Sequence, residues 1–241
     1  MPAAANFNPP PCLLLAAGRG ERMRPLTDEM PKPLLAIHNK SLLDWHLEAL
    51  AKAGIKNVVI NHAWLGEKIE DALRDGSQFR LQIRYSPEVV ALETAGGICK
   101  ALPLMNPLDY FLVVNGDVFC PNFPIAQLLE KLAALRSAPN QVLAYLVMVP
   151  NPPQHPNGDF YLKSSHVSDH PSDEAEKLTF SGIGLYHPDL FRGLEIGVPA
   201  KLAPLLRDAM KQNRVSGEKY TGPWHDVGTP QRLQELNAAN E

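Results

Sequence analysis

Between residues 15 and 35 the chain reads LAAGRGERMRPLTDEMPKPLL. Gly18 and Gly20 let the backbone approach an anion closely and aim amides at it. Arg19, Arg22, Arg24 and Lys32 add positive charge to the same short stretch. Two familiar phosphate loops are excluded: no GxxxxGK[ST] is present, and GxGxxG fails because Met23 stands where the third glycine is needed. Glycines and charges alone are explained equally well by a solvated turn, so the case for phosphate chemistry needs acids as well.

Two acids stand out. Asp117 follows the apolar run YFLVVNG, which puts a carboxylate just past the end of a buried strand, where open sheets bind ligands. Asp226, in WHDVGTP, is by itself a loop residue, but a pair of such acids suits Mg2+, which takes one or two carboxylates and completes its shell with phosphate oxygens and water. Cations placed where charge grows on a transferring phosphoryl group stabilise the transition state. Lys32, held by a preceding proline, and Arg22, with its planar fork, are the candidates for that role. A phosphate nucleophile is already ionised at neutral pH, so no general base is required. No HExxH zinc helix and no GxSxG elbow is present, which argues against zinc and serine hydrolases.

The elements that must position these residues follow a βα rhythm. CLLLAAGRG reads as a strand entering a glycine loop, and SLLDWHLEALAKAG as a helix capped by Ser41, with Leu43, Leu47 and Leu50 on one face and Gly54 as its stop. NVVIN and LQIRY are strand-like around a helix over 67–75, and AGGICKAL is a short helix leading to the strand that ends at Asp117. PIAQLLEKLAALRS and PAKLAPLLRDAMKQ are further helices, DFYLKSSHVSDH a hairpin, KLTFSGIGLY a strand, and Thr229-Pro230 a helix start. Strands alternating with helices at this spacing imply a mostly parallel, mixed central sheet covered on both faces.

These residues resemble the signature of the sugar-1-phosphate nucleotidyltransferase family: a glycine loop, an arginine and a Pro-Lys-Pro triplet. The likeness continues through SPEVVALETAGGI, FLVVNGDVF, LTFSGIGLY and WHDVGTP, from Cys12 to about Gln234. It implies a Rossmann-like three-layer α/β/α fold and the reaction of a nucleoside triphosphate with a sugar 1-phosphate, releasing pyrophosphate with Mg2+ as cofactor. It further implies that Ala16, Ala17, Gly18, Arg19 and Gly20 hold the nucleotide, with Arg22 and Lys32 on its phosphates and Glu93 to Gly97 against the base. Asp117 and Asp226 would ligate metal, and Asn115, Asn157, Asp159, Ser181 and Gly182 would face the sugar phosphate. Ala95 in ETAGG replaces a glycine seen in some uridylyltransferases.

INHAWLGEKIED, GDFYL, KLAPLLRDAM and VSGEKYTGPWHDVGT are most similar to the members that serve peptidoglycan recycling. They imply uridylyl transfer from UTP to N-acetylmuramate alpha-1-phosphate. The lactyl carboxylate of that sugar needs a partner; the stretch from Pro150 to Lys163, the TFSGI segment, Lys201 and Arg207 are the available sources, and Lys201 is the first choice. The alternatives are another sugar 1-phosphate with UTP, dTTP or GTP, a glycosyltransferase, and a non-catalytic nucleotide-sugar sensor. A glycosyltransferase relies on a DxD pair where this chain has Asn115-Gly116-Asp117, and a sensor has no need of Lys32 and both acids.

Composition sets the bounds. The 241 residues suit one large domain, expected as a flexible leader over 1–10 and a single domain over 11–241, its nucleotide part at about 11–120 and its sugar part at about 121–235. With 45% hydrophobic and 20% charged residues the chain buries a core, and a net charge of -3 gives nothing global to attract nucleic acid or an anionic membrane. Cys12, Cys99 and Cys120 lack metal or redox spacing, and residues 1–11 lack a basic start and leucine-rich core, so a cytoplasmic, soluble monomer or weak homodimer is expected.

Overall fold

Strand β1 (Cys12–Ala16) runs directly into the glycine loop, as its apolar sequence predicts. The structure is a computed structural model that describes residues 9–239; the expected leader lies, as far as residue 8, outside the described residues. Beyond the loop come α1 (Leu26–Glu29), the short pair β2 (Ala36–Ile37) and β3 (Lys40–Ser41), and α2 (Leu42–Lys52). The Ser41 cap forms as expected: its Oγ accepts from the Asp44 amide at 3.0 Å, and the Asp44 carboxylate accepts from the Ser41 amide at 3.3 Å. The chain continues through β4 (Asn57–His62), α3 (Gly66–Leu73), β5 (Gln82–Pro87), α4 (Glu93–Met105) and β6 (Phe111–Asn115). Helix α4 is longer than the segment AGGICKAL because its buried face carries on through Ala101 to Met105.

The second half holds β7 (Val118–Phe119), α5 (Ile125–Ser137), β8 (Ala144–Val149), β9 (Phe160–Lys163), β10 (His166–Ser168) and β11 (Glu176–Tyr186). It closes with α6 (Leu202–Lys211), β12 (Val215–Lys219), β13 (His225–Asp226) and α7 (Pro230–Ala238), whose cap Thr229 accepts from the Arg232 amide at 3.3 Å.

One nine-stranded sheet runs in the order β5-β4-β1-β6-β11-β8-β12-β10-β9. The strands β5, β4, β1 and β6 are parallel, as the helical crossovers between them require. Strand β11 is antiparallel to both β6 and β8, because only the β9–β10 hairpin and loops separate it from β8. The sheet is therefore parallel in its first half and mixed in its second. Alternation along β1 sends Leu14 to one face, with Leu47 and Leu128, and Leu13 to the other, with Ile98 and Leu206. A third cluster of Met23, Leu35, Phe119, Val227 and Leu233 packs α7 beneath the glycine loop and the Asp117 turn. Among the described residues no helix is long and apolar enough to cross a membrane.

Candidate active site

Two clefts adjoin where β1 and β6 end. The first, of about 310 Å³, is walled by the glycine loop, Lys32, Asn61, Glu88 and the start of α4. The second, of about 280 Å³, is walled by the Asp159 turn, Ser181, Trp224 and Asp226. Asn115 and Asp117 line both, so the shared wall is the turn that leaves β6.

In the first cleft the amides of Ala17, Gly18, Arg19 and Gly20 have no hydrogen-bond partner among the described residues, which leaves them free for an anion. The Ala16 amide is already used, donating to Asn61 Oδ1 at 2.8 Å. Asn61 donates in turn to Glu88 Oε1 at 2.7 Å, and Glu88 Oε2 accepts the Leu92 amide at 2.8 Å. This buried chain ties the end of β1 to the start of α4. Gly97 makes room for it: a Cβ there would lie 2.7 Å from Asn61 Nδ2 and 2.8 Å from Glu88 Oε1. At the far wall Lys32 is only 7% exposed, and its Nζ lies 2.7 Å from Asp117 Oδ2. A buried ammonium needs such a partner.

The second cleft depends on an irregularity in β11, whose register against β8 shifts between Phe180 and Gly184. Gly182, at φ +82°, lies in this bulge, and a Cβ there would stand 2.7 Å from the Asn115 side chain. Asp159 Oδ2 accepts the Phe180 amide at 2.8 Å, and Trp224 Nε1 donates to Ser181 O at 2.9 Å. The strands β7 and β13 pair antiparallel, and the Val227 amide donates to Asp117 O at 3.1 Å, which brings Asp226 beside Asp117. Arg232 of α7 holds Asp226 through its Nη1, at 3.0 Å from the carbonyl and 2.6 Å from Oδ2. Below the turn, burial pushes the His46 imidazole down to about 4, against weaker opposing pulls from the Val118 backbone and the Asp117 charge.

Most of the expected residues meet here. Ala16, Ala17, Gly18, Lys32, Glu93 and Asn115 line the first cleft, and Asn115, Asp117, Asp159, Ser181 and Asp226 the second. Others lie outside both. Arg22 is solvent-exposed beside Glu21 and Met23. Arg19 stacks its guanidinium on Trp64, 3.8 Å from the ring centroid, and donates to Thr27 O, so only its amide is available. Gly20 contributes through the loop backbone, and Gly97 and Gly182 act by giving room rather than by contact. Asn157 is exposed in its turn. Lys201 precedes α6, next to Ala200, whose carbonyl accepts the Ala95 and Gly96 amides of α4; it is exposed and does not line the second cleft. Sequence reasoning missed Asn61, Glu88, His155, Trp224 and Arg232, whose partners lie far away in the chain or have no motif. The one available signal was the acid in SPEVV, just after a strand.

Among the described residues no three His, Cys, Asp or Glu side chains form a closed metal cage. Asp117, in the turn that precedes β7, and Asp226, on the paired β13, both line the second cleft, and two such carboxylates fit a cation like Mg2+ that completes its shell with phosphate oxygens and water.

A family model described as Nucleotidyl transferase matches residues 12–241. The N-acetylmuramate alpha-1-phosphate uridylyltransferase of Neisseria meningitidis serogroup B is 52% identical, covering 94% of this chain and 96% of that protein. The Caulobacter vibrioides protein of the same name is 30% identical over 91% of this chain and 92% of its own length. A solved UDP-glucose pyrophosphorylase complexed with UDP-glucose superposes with a TM-score of 0.72 at 18% identity, covering 95% of this chain and 97% of that one, and so shares the fold. The glycine loop, the buried lysine and the two adjoining acids thus stand in a chain that belongs, across nearly its whole length, to the nucleotidyl transferase family.

Proposed function

We propose that the protein transfers a uridylyl group from UTP to N-acetylmuramate alpha-1-phosphate, giving UDP-N-acetylmuramate and pyrophosphate. The observation that carries the choice of substrates is the 52% identity to the Neisseria meningitidis uridylyltransferase over almost the full length of both chains. The geometry supports the reaction class. One cleft offers free amides and a buried lysine for a triphosphate, the other a polar wall for a sugar phosphate, and they meet at Asn115 and Asp117.

An oxygen of the sugar phosphate attacks the α-phosphorus of UTP, the bond to the bridging oxygen breaks, and pyrophosphate leaves with the electron pair. Both reactants are anions, so the main task is to offset their repulsion and the charge that grows at the α-phosphate. Lys32 exchanges its bond with Asp117 for phosphate oxygens at this stage. Asp117 and Asp226 would hold Mg2+, which supplies charge neutralisation and a template for the phosphates. Arg232 keeps Asp226 in place, since it is anchored to that residue's carbonyl as well as its carboxylate.

The test is pyrophosphate release from a matrix of UTP, dTTP, GTP and ATP against the 1-phosphates of N-acetylmuramate, N-acetylglucosamine, glucose and mannose. UTP with N-acetylmuramate 1-phosphate is expected to give the highest kcat/KM. Equal efficiency with N-acetylglucosamine 1-phosphate, or a better non-uridine donor, overturns the reading.

A further inference from the structure

N-Acetylmuramate differs from N-acetylglucosamine by a lactyl ether that ends in a carboxylate, so an enzyme that prefers it must offer that anion something a neutral sugar does not use. The second cleft is an unpromising place for a further negative group, because Asp117, Asp159 and Asp226 already line it. Most of its donors are already engaged: Trp224 Nε1 by Ser181 O, and Thr179 Oγ1 by Asn151 Oδ1 at 2.9 Å. Asn115 sits at the shared wall, where the phosphates meet. Ser181 Oγ, which accepts the Ile183 amide at 3.1 Å and is buried, Gln154 and His155 remain, and among the described side chains lining this cleft His155 is the one able to carry positive charge.

We infer that His155 reads the sugar's carboxylate. This rests on the substrate proposed above. The turn that carries it is held firmly: the His155 amide donates to Pro152 O at 2.8 Å, and Asn151 Nδ2 donates to Lys177 O at 3.0 Å and to Pro156 O at 3.3 Å. The imidazole is oriented as well. Its Nε2 lies 3.0 Å from Asp159 Oδ1, while the other Asp159 oxygen is fixed by the Phe180 amide. That leaves Nδ1 for a ligand, and the side chain is 44% exposed, so the ring can be reached. When protonated, the ring donates from both nitrogens, one to Asp159 and one to the incoming carboxylate. Asp159 is then a positioning residue, and Gln154 supplies a neutral amide alongside.

The experiment compares kcat/KM for N-acetylmuramate 1-phosphate, its carboxylate methyl ester and N-acetylglucosamine 1-phosphate in the wild type, His155→Ala, His155→Gln and Asp159→Asn. A charge-assisted hydrogen bond of this kind should lower the muramate-to-glucosamine ratio by at least about tenfold in both His155 variants, and by less in Asp159→Asn. The wild type should treat the methyl ester as poorly as it treats the neutral sugar, whereas His155→Ala should no longer separate ester from acid. An unchanged ratio in the His155 variants overturns the inference and leaves the substrate assignment standing. An equal loss on both sugars overturns it too, because it marks a structural role for the turn. No preference for muramate in the wild type overturns the substrate assignment, and this inference with it.

Discussion

Lys32 and the two acids, to which the proposed function assigns the chemistry, are each held in an ion pair. Lys32 holds Asp117, and Arg232 holds Asp226. The pairs are not equivalent. Lys32 has one side-chain partner, whereas Arg232 is tied to Asp226 at two points, its carbonyl and its carboxylate. Lys32→Ala is expected to lower the single-turnover rate on the order of 100-fold with a smaller change in UTP affinity, because a donor aimed at developing charge is worth about 3 kcal/mol in the transition state. Rapid-quench kinetics beside calorimetric UTP titration separates the two effects, and a rate within a few-fold of wild type would reduce Lys32 to structural charge. Asp117→Asn and Asp226→Asn should each raise the Mg2+ needed for half-maximal activity. An unchanged metal titration removes that residue from the metal site.

The bulge in β11 shows how an element sets a residue's position. Gly182 has a left-handed φ, and the Asn115 side chain lies where its Cβ would be. Gly182→Ala should therefore destabilise the fold by about 1–3 kcal/mol, from backbone strain and overpacking together, and should raise KM for both substrates because Asn115 lines both clefts. Urea unfolding and steady-state kinetics measure the two effects, and a fully wild-type profile would mean that Asn115 moves aside without consequence. The capped helices were legible in the sequence because a cap is a local pattern, as at Ser41 and Thr229. The start of α4 was not: it opens on Glu93 at φ 59°, and the amides of Leu92, Ala95 and Gly96 take partners from Glu88 and Ala200, elsewhere in the chain.

The whole molecule carries a buried histidine under the site, and the stability of the fold must register it. His46 titrates at about 4 when folded, against about 6.5 in an unfolded chain, because burial disfavours its charged form. Between those values the unfolded state binds the extra proton. Stability is therefore highest above about pH 6.5 and falls as the pH drops toward 4, by up to about 3 kcal/mol. Burial also holds the imidazoles of His187 and His225 down, which adds in the same direction. Guanidinium unfolding between pH 4.5 and 7 should show this slope, and His46→Phe should flatten it. An identical slope in that variant would assign the effect to the other two histidines.

The sequence by itself determined most of the elements and the chemistry-bearing types: apolar runs became strands, 3.6-residue periodicity and caps became helices, and the glycine loop, Lys32, Asp117 and Asp226 stood out as candidates. Each of those signals is local, or a short motif at a strand end. The tertiary structure alone decided the contacts that depend on strand order. Lys32 and Asp117, 85 residues apart, meet because β6 lies beside β1, and Asn61 reaches the Ala16 amide, 45 residues away, because β4 lies on the other side. The same placement left Arg22 and Lys201 in solvent and seated His155 in the second cleft. A side chain's type fixes what it can do, but only the packing of the sheet and its covering helices fixes what it faces.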